Sequence, residues 1–176
     1  MMMNSNILYA SGILFYSKTL DNTPFFLLGK DYENKWSNFG GRCEISDKCD
    51  AELTAAREAW EETLGSIYDY DTLKVTLKAN KGIKYISSKT PSGRPYYMYL
   101  LKIPYSNVYR DRFMSTKKFL ANIKTDNKFL EMTDIKWVSL DTINYSTNNN
   151  KKSIIKLRYV FEQTMKANLI EILELL

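Results

Sequence analysis

The sequence predicts a mixed α/β domain, and three observations carry the prediction. Residues 7–16, 24–30 and 96–103 are rich in aromatic and branched side chains, the composition of strands. Residues 51–64 read instead as a helix, opened by Asp50 as N-cap and stopped by Gly65. Near the C-terminus, apolar residues recur three and four apart, which marks a long amphipathic helix.

In chain order, residues 7–16 and 24–30 form a hairpin around the turn-forming cluster Asp21-Asn22-Thr23-Pro24. Residues 36–41 lead into a loop, and the 51–64 helix follows. Residues 72–78 and 83–87 read as strands joined by Asn80-Lys81-Gly82, and 96–103 as a strand of alternating aromatic and aliphatic residues. The polar, basic stretch 105–128, weakly helical around 113–124, reads as an excursion from the core. Residues 135–138 return to strand. After the polar run 146–150, residues 151–176 put Ile154, Leu157, Phe161, Met165, Leu169 and Leu173 on one helical face. No repeat or Pro/Gly/Ser-rich linker divides residues 1–176, so they read as a single domain.

Composition narrows the chemistry. Among 176 residues there is no histidine, which excludes Ser-His-Asp and Cys-His nucleophiles and histidine-containing zinc or iron sites. Acid/base and metal chemistry falls to carboxylates. Two cysteines, Cys43 and Cys49, are too few for a disulfide framework, and no segment reads as a secretory signal or is long enough to span a bilayer. A soluble, intracellular, cytoplasmic protein is expected, as monomer or homodimer. The net charge of +5 and the pI near 9.0 favour polyanionic partners such as nucleotides, inositol phosphates or RNA.

The informative segment is Gly40 to Ile67. With Glu58 at zero degrees on a helical wheel, Glu61 and Glu62 fall on either side of it, while Leu53, Ala56, Trp60 and Leu64 occupy the opposite side. A solvated acidic face is the ordinary explanation. It fits poorly here, because like charges three and four apart cost roughly 0.2–0.5 kcal/mol per pair and no Lys or Arg lies one turn further on. A divalent cation removes that repulsion. Mg²⁺, which takes oxygen ligands and bridges carboxylates to phosphates, is the natural one.

This segment resembles the Nudix box, G-x5-E-x7-R-E-U-x-E-E-x-G-U with U aliphatic. Arg57-Glu58-Ala59-Trp60-Glu61-Glu62 reproduces its R-E-U-x-E-E core and Gly40-Gly41 its opening glycines, in strand-loop-helix order. The loop runs about two residues long, so the box glutamate is out of register; Glu44, Asp47 and Asp50 are the acidic residues available to replace it. Two residues rather than one separate Glu62 from Gly65. A later run, Glu131-Met132-Thr133-Asp134-Ile135-Lys136-Trp137-Val138, resembles a region of mRNA-decapping members.

The resemblance implies an α/β/α sandwich with a central mixed sheet. It also implies Mg²⁺- or Mn²⁺-dependent hydrolysis of a phosphoanhydride in a nucleoside diphosphate linked to another moiety. Glu58, Glu61, Glu62 and the Gly41 carbonyl would hold the metal, with Arg57 orienting a loop carboxylate. Glu58 and Glu131 are the candidates for general base. Gly40, Lys81, Lys84, Arg94 and Tyr97 are candidate substrate contacts, with the tyrosine alternation 96, 97 and 99 offering a base-stacking face. Trp36, Trp60 and Trp137 read as core. Lys151, Lys152, Lys156 and Arg158 form a second basic patch. Capped mRNA, dinucleoside polyphosphates and diphosphoinositol phosphates suit the basic surface best. The alternative is a non-catalytic nucleotide- or RNA-binding module on the same fold; an isoprenoid diphosphate isomerase is disfavoured by the missing histidine.

Overall fold

The computed structural model describes residues 9–79, 83–148 and 154–176. Its centre is an eight-stranded mixed sheet. Strand β1 (Ala10–Lys18) is the axis: β6 (Pro95–Lys102) runs parallel along one edge. The other edge is shared. β2 (Pro24–Asp31) pairs antiparallel with residues 15–18 of β1, and β4 (Phe39–Arg42) takes residues 10–13. β5 (Tyr85–Lys89) extends the sheet beyond β6. β2 also carries β3 (Lys35–Ser37) and β7 (Met132–Ser139), and β8 (Lys156–Leu157) joins β3 in parallel.

Period-two alternation on these strands feeds two cores. Leu14, Phe26, Leu28, Tyr96, Met98 and Leu100 face one side, where Phe161, Met165 and Ile172 of α5 (Tyr159–Leu175) and Ile143 of α4 (Leu140–Asn148) cover them. Ile13, Phe15, Leu27, Phe39, Tyr99 and Leu101 face the other. There α1 (Ala51–Thr63), α2 (Tyr70–Ala79) and α3 (Val108–Leu120) supply Ala55, Ala56, Ala59, Leu73, Leu77 and Phe113. The result is the expected α/β/α sandwich around a mixed sheet.

Several expectations are corrected. Residues 72–78 are helical, in α2: Leu73 and Leu77, four apart, are buried while Val75 between them is exposed, and Asp69 caps the helix through the Thr72 N–H. A short Leu-x-Val-x-Leu run satisfies both periods, and the cap decides between them. The C-terminal helix starts at Tyr159, not at 151. Leu157 lies in β8, Ile154 is exposed, and non-helical Asn168 rotates the last turns so that Ile172, rather than Leu173, is fully buried. The helix in the excursion begins earlier, at Val108, and α4 is a helix that the sequence does not suggest, with only its last three residues falling in the polar run 146–150. Asn80-Lys81-Gly82 and Lys151-Lys152 lie outside the described residues. Among the described residues, no helix is long and apolar enough to cross a membrane.

Candidate active site

The box loop folds as the strand-loop-helix order requires. Asp50 accepts from the Glu52 and Leu53 N–H groups and starts α1, and Leu64 and Gly65, both left-handed, end it. What α1 buries differs from the helical-wheel expectation. The face against the sheet is Ala55, Ala56 and Ala59, because small side chains let the helix approach β1 and β4 closely. Leu53, Trp60 and Leu64 sit half-buried at the periphery, Trp60 edge-on to Phe129 at 5.5 Å. Glu61 and Glu62 are buried, each about 4% exposed, rather than displayed to solvent.

Arg57 organises the loop. Its Nε and one terminal nitrogen donate to the two Asp47 oxygens, both at 2.9 Å, and the same terminal nitrogen reaches the Arg42 carbonyl at 2.9 Å. Its other terminal nitrogen lies 3.0 Å from a Glu58 oxygen and 3.1 Å from Glu61 Oε2. Of the three acidic residues available to replace the out-of-register glutamate, Asp47 is therefore the one that holds Arg57 in a fork. Glu44 stands at 3.6 Å and Asp50 serves as the cap. Asp47 also accepts from Thr54 Oγ1 and the Glu44 N–H. Burial raises the Asp47 carboxyl, but these bonds outweigh it and hold the group below its ordinary value.

The glycines are required for space rather than for unusual backbone angles. A Cβ on Gly40 would meet Gly12 Cα at 2.6 Å across the β1–β4 ladder. One on Gly41 would lie 2.6 Å from the Glu58 carboxyl carbon and both its oxygens. Glu58 thus rests in the volume a side chain would fill, and Glu62 accepts the Gly40 N–H at 2.7 Å. The wheel's uncompensated repulsion is also corrected. Arg57 lies one turn before Glu61, and Lys128, distant in sequence, reaches Glu61 Oε1 at 2.6 Å.

Two carboxyls remain short of compensation. Burial pushes Glu58 up to about 7, with the charges of Glu61 and Glu131 adding to the rise and Arg57 opposing it. Burial raises Glu62 well above its ordinary value, and the charges of Glu58 and Glu131 add to that. A group raised on folding stabilises the fold below its unfolded value and loses that contribution as pH climbs through the folded one. Chelated protein should therefore lose thermal stability as pH rises from 4.5 to about 7. Asp47, shifted the other way, acts only below 3.8 and does not mask the effect. Unfolding temperatures measured in EDTA across that range check this; a flat profile contradicts it.

An all-oxygen, anionic donor set beside a glycine that makes room for a carboxylate suits Mg²⁺ or Mn²⁺. Glu58 and Glu62, with Glu131 close enough to raise both, would hold such an ion, with Glu61 joining where its oxygens are released. As the side chains stand, no three acidic or thiol groups among the described residues converge on one point. Arg57 and Lys128 take both oxygens of Glu61, and Gly40 takes one of Glu62.

Beside the glycine pair opens a cavity of about 770 Å³. Gly40, Gly41 and Glu131 line it with Lys35, Arg42, Arg94, Arg158, Tyr32 and Tyr159. Of the expected substrate contacts, Gly40 and Arg94 are therefore at the cavity. Lys84 is exposed elsewhere and Lys81 lies outside the described residues. Tyr97 falls on the opposite sheet face, packed edge-on against Tyr9 and Tyr85. Its neighbour Tyr96 lines the cavity instead, its buried hydroxyl paired with the Asn38 amide at 2.6 and 2.9 Å. The sequence does not single out Asp47, Lys128 or Tyr96. Asp47 is one of three acidic residues in the loop with nothing local to rank them, and nothing local marks a lysine 67 positions from its partner. Lys117, half-buried, donates to the Leu130 and Met132 carbonyls, which flank Glu131.

No family model matches the sequence, and no curated protein matches it significantly. Solved structures resemble the fold over most of its length. An Ap4A hydrolase of C. elegans in a binary complex is 15% identical over 92% of this chain and 98% of its own, with a TM-score of 0.47. The Nudix hydrolase RenU of M. smegmatis is 12% identical over 93% and 84%, also at 0.47. A NUDIX hydrolase of Alicyclobacillus acidocaldarius is 9% identical over 94% and 92%, at 0.49. At these identities the case for any chemistry rests on the residues themselves.

Proposed function

We propose that this protein is a Mg²⁺-dependent pyrophosphohydrolase of the Nudix type, cleaving a phosphoanhydride in a nucleoside diphosphate linked to another moiety. The observation that carries the reading is the packing of Glu58 and Glu62 against Gly41 and Gly40, at the edge of a cavity whose lining sets Lys35, Arg42, Arg94 and Arg158 beside Asp31, Glu33 and Glu131. Buried glutamates with raised affinity for protons are poor structural elements and good receptors for a divalent cation.

The bound cation would supply charge neutralisation of the diphosphate and activation of water. The chain's own residues do the rest. Arg57, clamped by Asp47, keeps α1 and the box loop in register and fixes Glu58 and Glu61. Arg94 and Arg158 attract and orient the polyphosphate at the cavity, and the exposed rings of Tyr32 and Tyr159 offer faces for a base. Glu131, with Glu58, is a candidate base for the attacking water. Capped mRNA, dinucleoside polyphosphates and diphosphoinositol phosphates are the leading substrates, each a multiply charged ligand that Arg42 and Arg94 at the cavity can meet. A product-resolved hydrolysis screen over these compounds and nucleoside triphosphates, with Mg²⁺ and with EDTA, should yield two phosphorylated fragments from at least one of them only when Mg²⁺ is present. Absence of Mg²⁺-dependent products throughout contradicts the proposal.

One observation favours a second reading, a non-catalytic nucleotide- or RNA-binding module: both oxygens of Glu61 are engaged by cations of the chain itself. That reading predicts salt-sensitive ligand binding that is unchanged by EDTA and yields no product.

A further inference from the structure

We propose that Lys128 is a built-in counter-ion that holds the place of metal charge at Glu61 and leaves that carboxylate when a divalent cation binds, so that metal loading moves the segment 126–129. The inference rests on reading the glutamate cluster as a metal centre.

The two cations on Glu61 are not equivalent. Arg57 is 8% exposed and tied to Asp47 and the Arg42 carbonyl, so it cannot withdraw without breaking a buried fork. The Lys128 side chain is 38% exposed and sits on a single 3-10 turn, Asn127–Leu130. An ammonium on a flexible stem is readily rehydrated, whereas a clamped guanidinium is not. An ammonium 2.6 Å from Glu61 Oε1 repels a second cation brought to the same oxygen, so lysine and metal disfavour one another there.

The same short segment connects that exchange to the rest of the site. Phe129 packs edge-on against Trp60 of α1, and the Lys128 ammonium lies 5.1 Å from the centre of the Phe129 ring. Three residues after Lys128 comes Glu131, which lines the cavity and bears electrostatically on Glu58 and Glu62. Lys117, bonded to the carbonyls on either side of Glu131, gives the segment a fixed pivot. Release of Lys128 therefore frees the turn while Glu131 stays anchored at the cavity.

The test is a Mn²⁺ titration of the full chain without substrate, followed by loss of the free-ion EPR signal. Lys128→Met should bind Mn²⁺ roughly five- to tenfold more tightly than wild type. Lys128→Arg, which keeps the charge, should bind no more tightly, and Lys124→Met, at an exposed position in the same stretch, should match wild type. In wild type, Mg²⁺ should raise amide hydrogen exchange across 126–129, a readout that needs no variant to fold. Equal affinity in wild type and Lys128→Met, or unchanged exchange on adding Mg²⁺, overturns the proposal while leaving the metal centre intact. Failure of both wild type and variant to bind Mn²⁺ overturns the functional reading together with it.

Discussion

Glu62→Gln should reduce Mg²⁺-dependent hydrolysis by roughly a hundredfold or more while leaving the fold at least as stable. Residues that merely support metal ligands are worth about 10- to 100-fold, and a direct ligand is worth no less. The stability half follows from burial. Glu62 is almost fully buried, its carboxyl resists ionisation, and a glutamine oxygen can still accept the Gly40 N–H. At pH 8 in EDTA the variant should therefore unfold at the same temperature as wild type or higher, even as turnover falls. Steady-state kinetics and thermal melts on the same preparation separate the two effects. Undiminished hydrolysis in both Glu62→Gln and Glu61→Gln would remove the metal centre from the mechanism.

Arg57→Met should be the most destabilising of the site substitutions, by about 3–5 kcal/mol. Burial works against the charged arginine, but the Asp47 bonds and the charges of Glu58, Asp47 and Glu61 outweigh it and hold its proton more tightly than usual, and its loss strands a buried Asp47. For a domain of this size that corresponds to a fall of roughly 10 °C in the unfolding midpoint. Arg57→Lys should recover only part of it, since an ammonium cannot reproduce the two parallel bonds to Asp47. In a double-mutant cycle with Asp47→Asn the two losses should be far from additive. A midpoint within a degree or two of wild type would mean that the fork contributes little to the fold.

The legible part of the protein is the part governed by local rules. The β1–β2 hairpin, β6 and the bounds of α1 follow from strand composition, turn residues and an N-cap, all of which act over a few positions. The α2 segment misleads because three apolar residues spaced by two fit either period, and only the Asp69 cap and the exposure of Val75 separate them. The C-terminal helix misleads because a kink at Asn168 changes the buried face without altering the apolar spacing.

At the site, the acidic spacing singles out Glu58, Glu61 and Glu62 and the glycine pair Gly40 and Gly41, while Arg57 and Glu131 are nominated by the resemblance to the Nudix family. Acidic spacing on a helix and a glycine pair ahead of it are chemical signals readable in one dimension. Which loop acid grips Arg57, which tyrosine reaches the cavity and which lysine sits on Glu61 were decided by the tertiary structure alone. Tyr96 and Tyr97 differ only in the sheet face they take, and that is set by the pairing of β6 with β1. Lys128 meets Glu61 because α3 and the turn after it return the chain across α1, a contact between residues 67 apart that no local propensity encodes. Burial follows the same logic: the sequence determined that α1 carries a stripe of carboxylates, and the packing of Ala55, Ala56 and Ala59 against the sheet decided that Glu61 and Glu62 lie out of water.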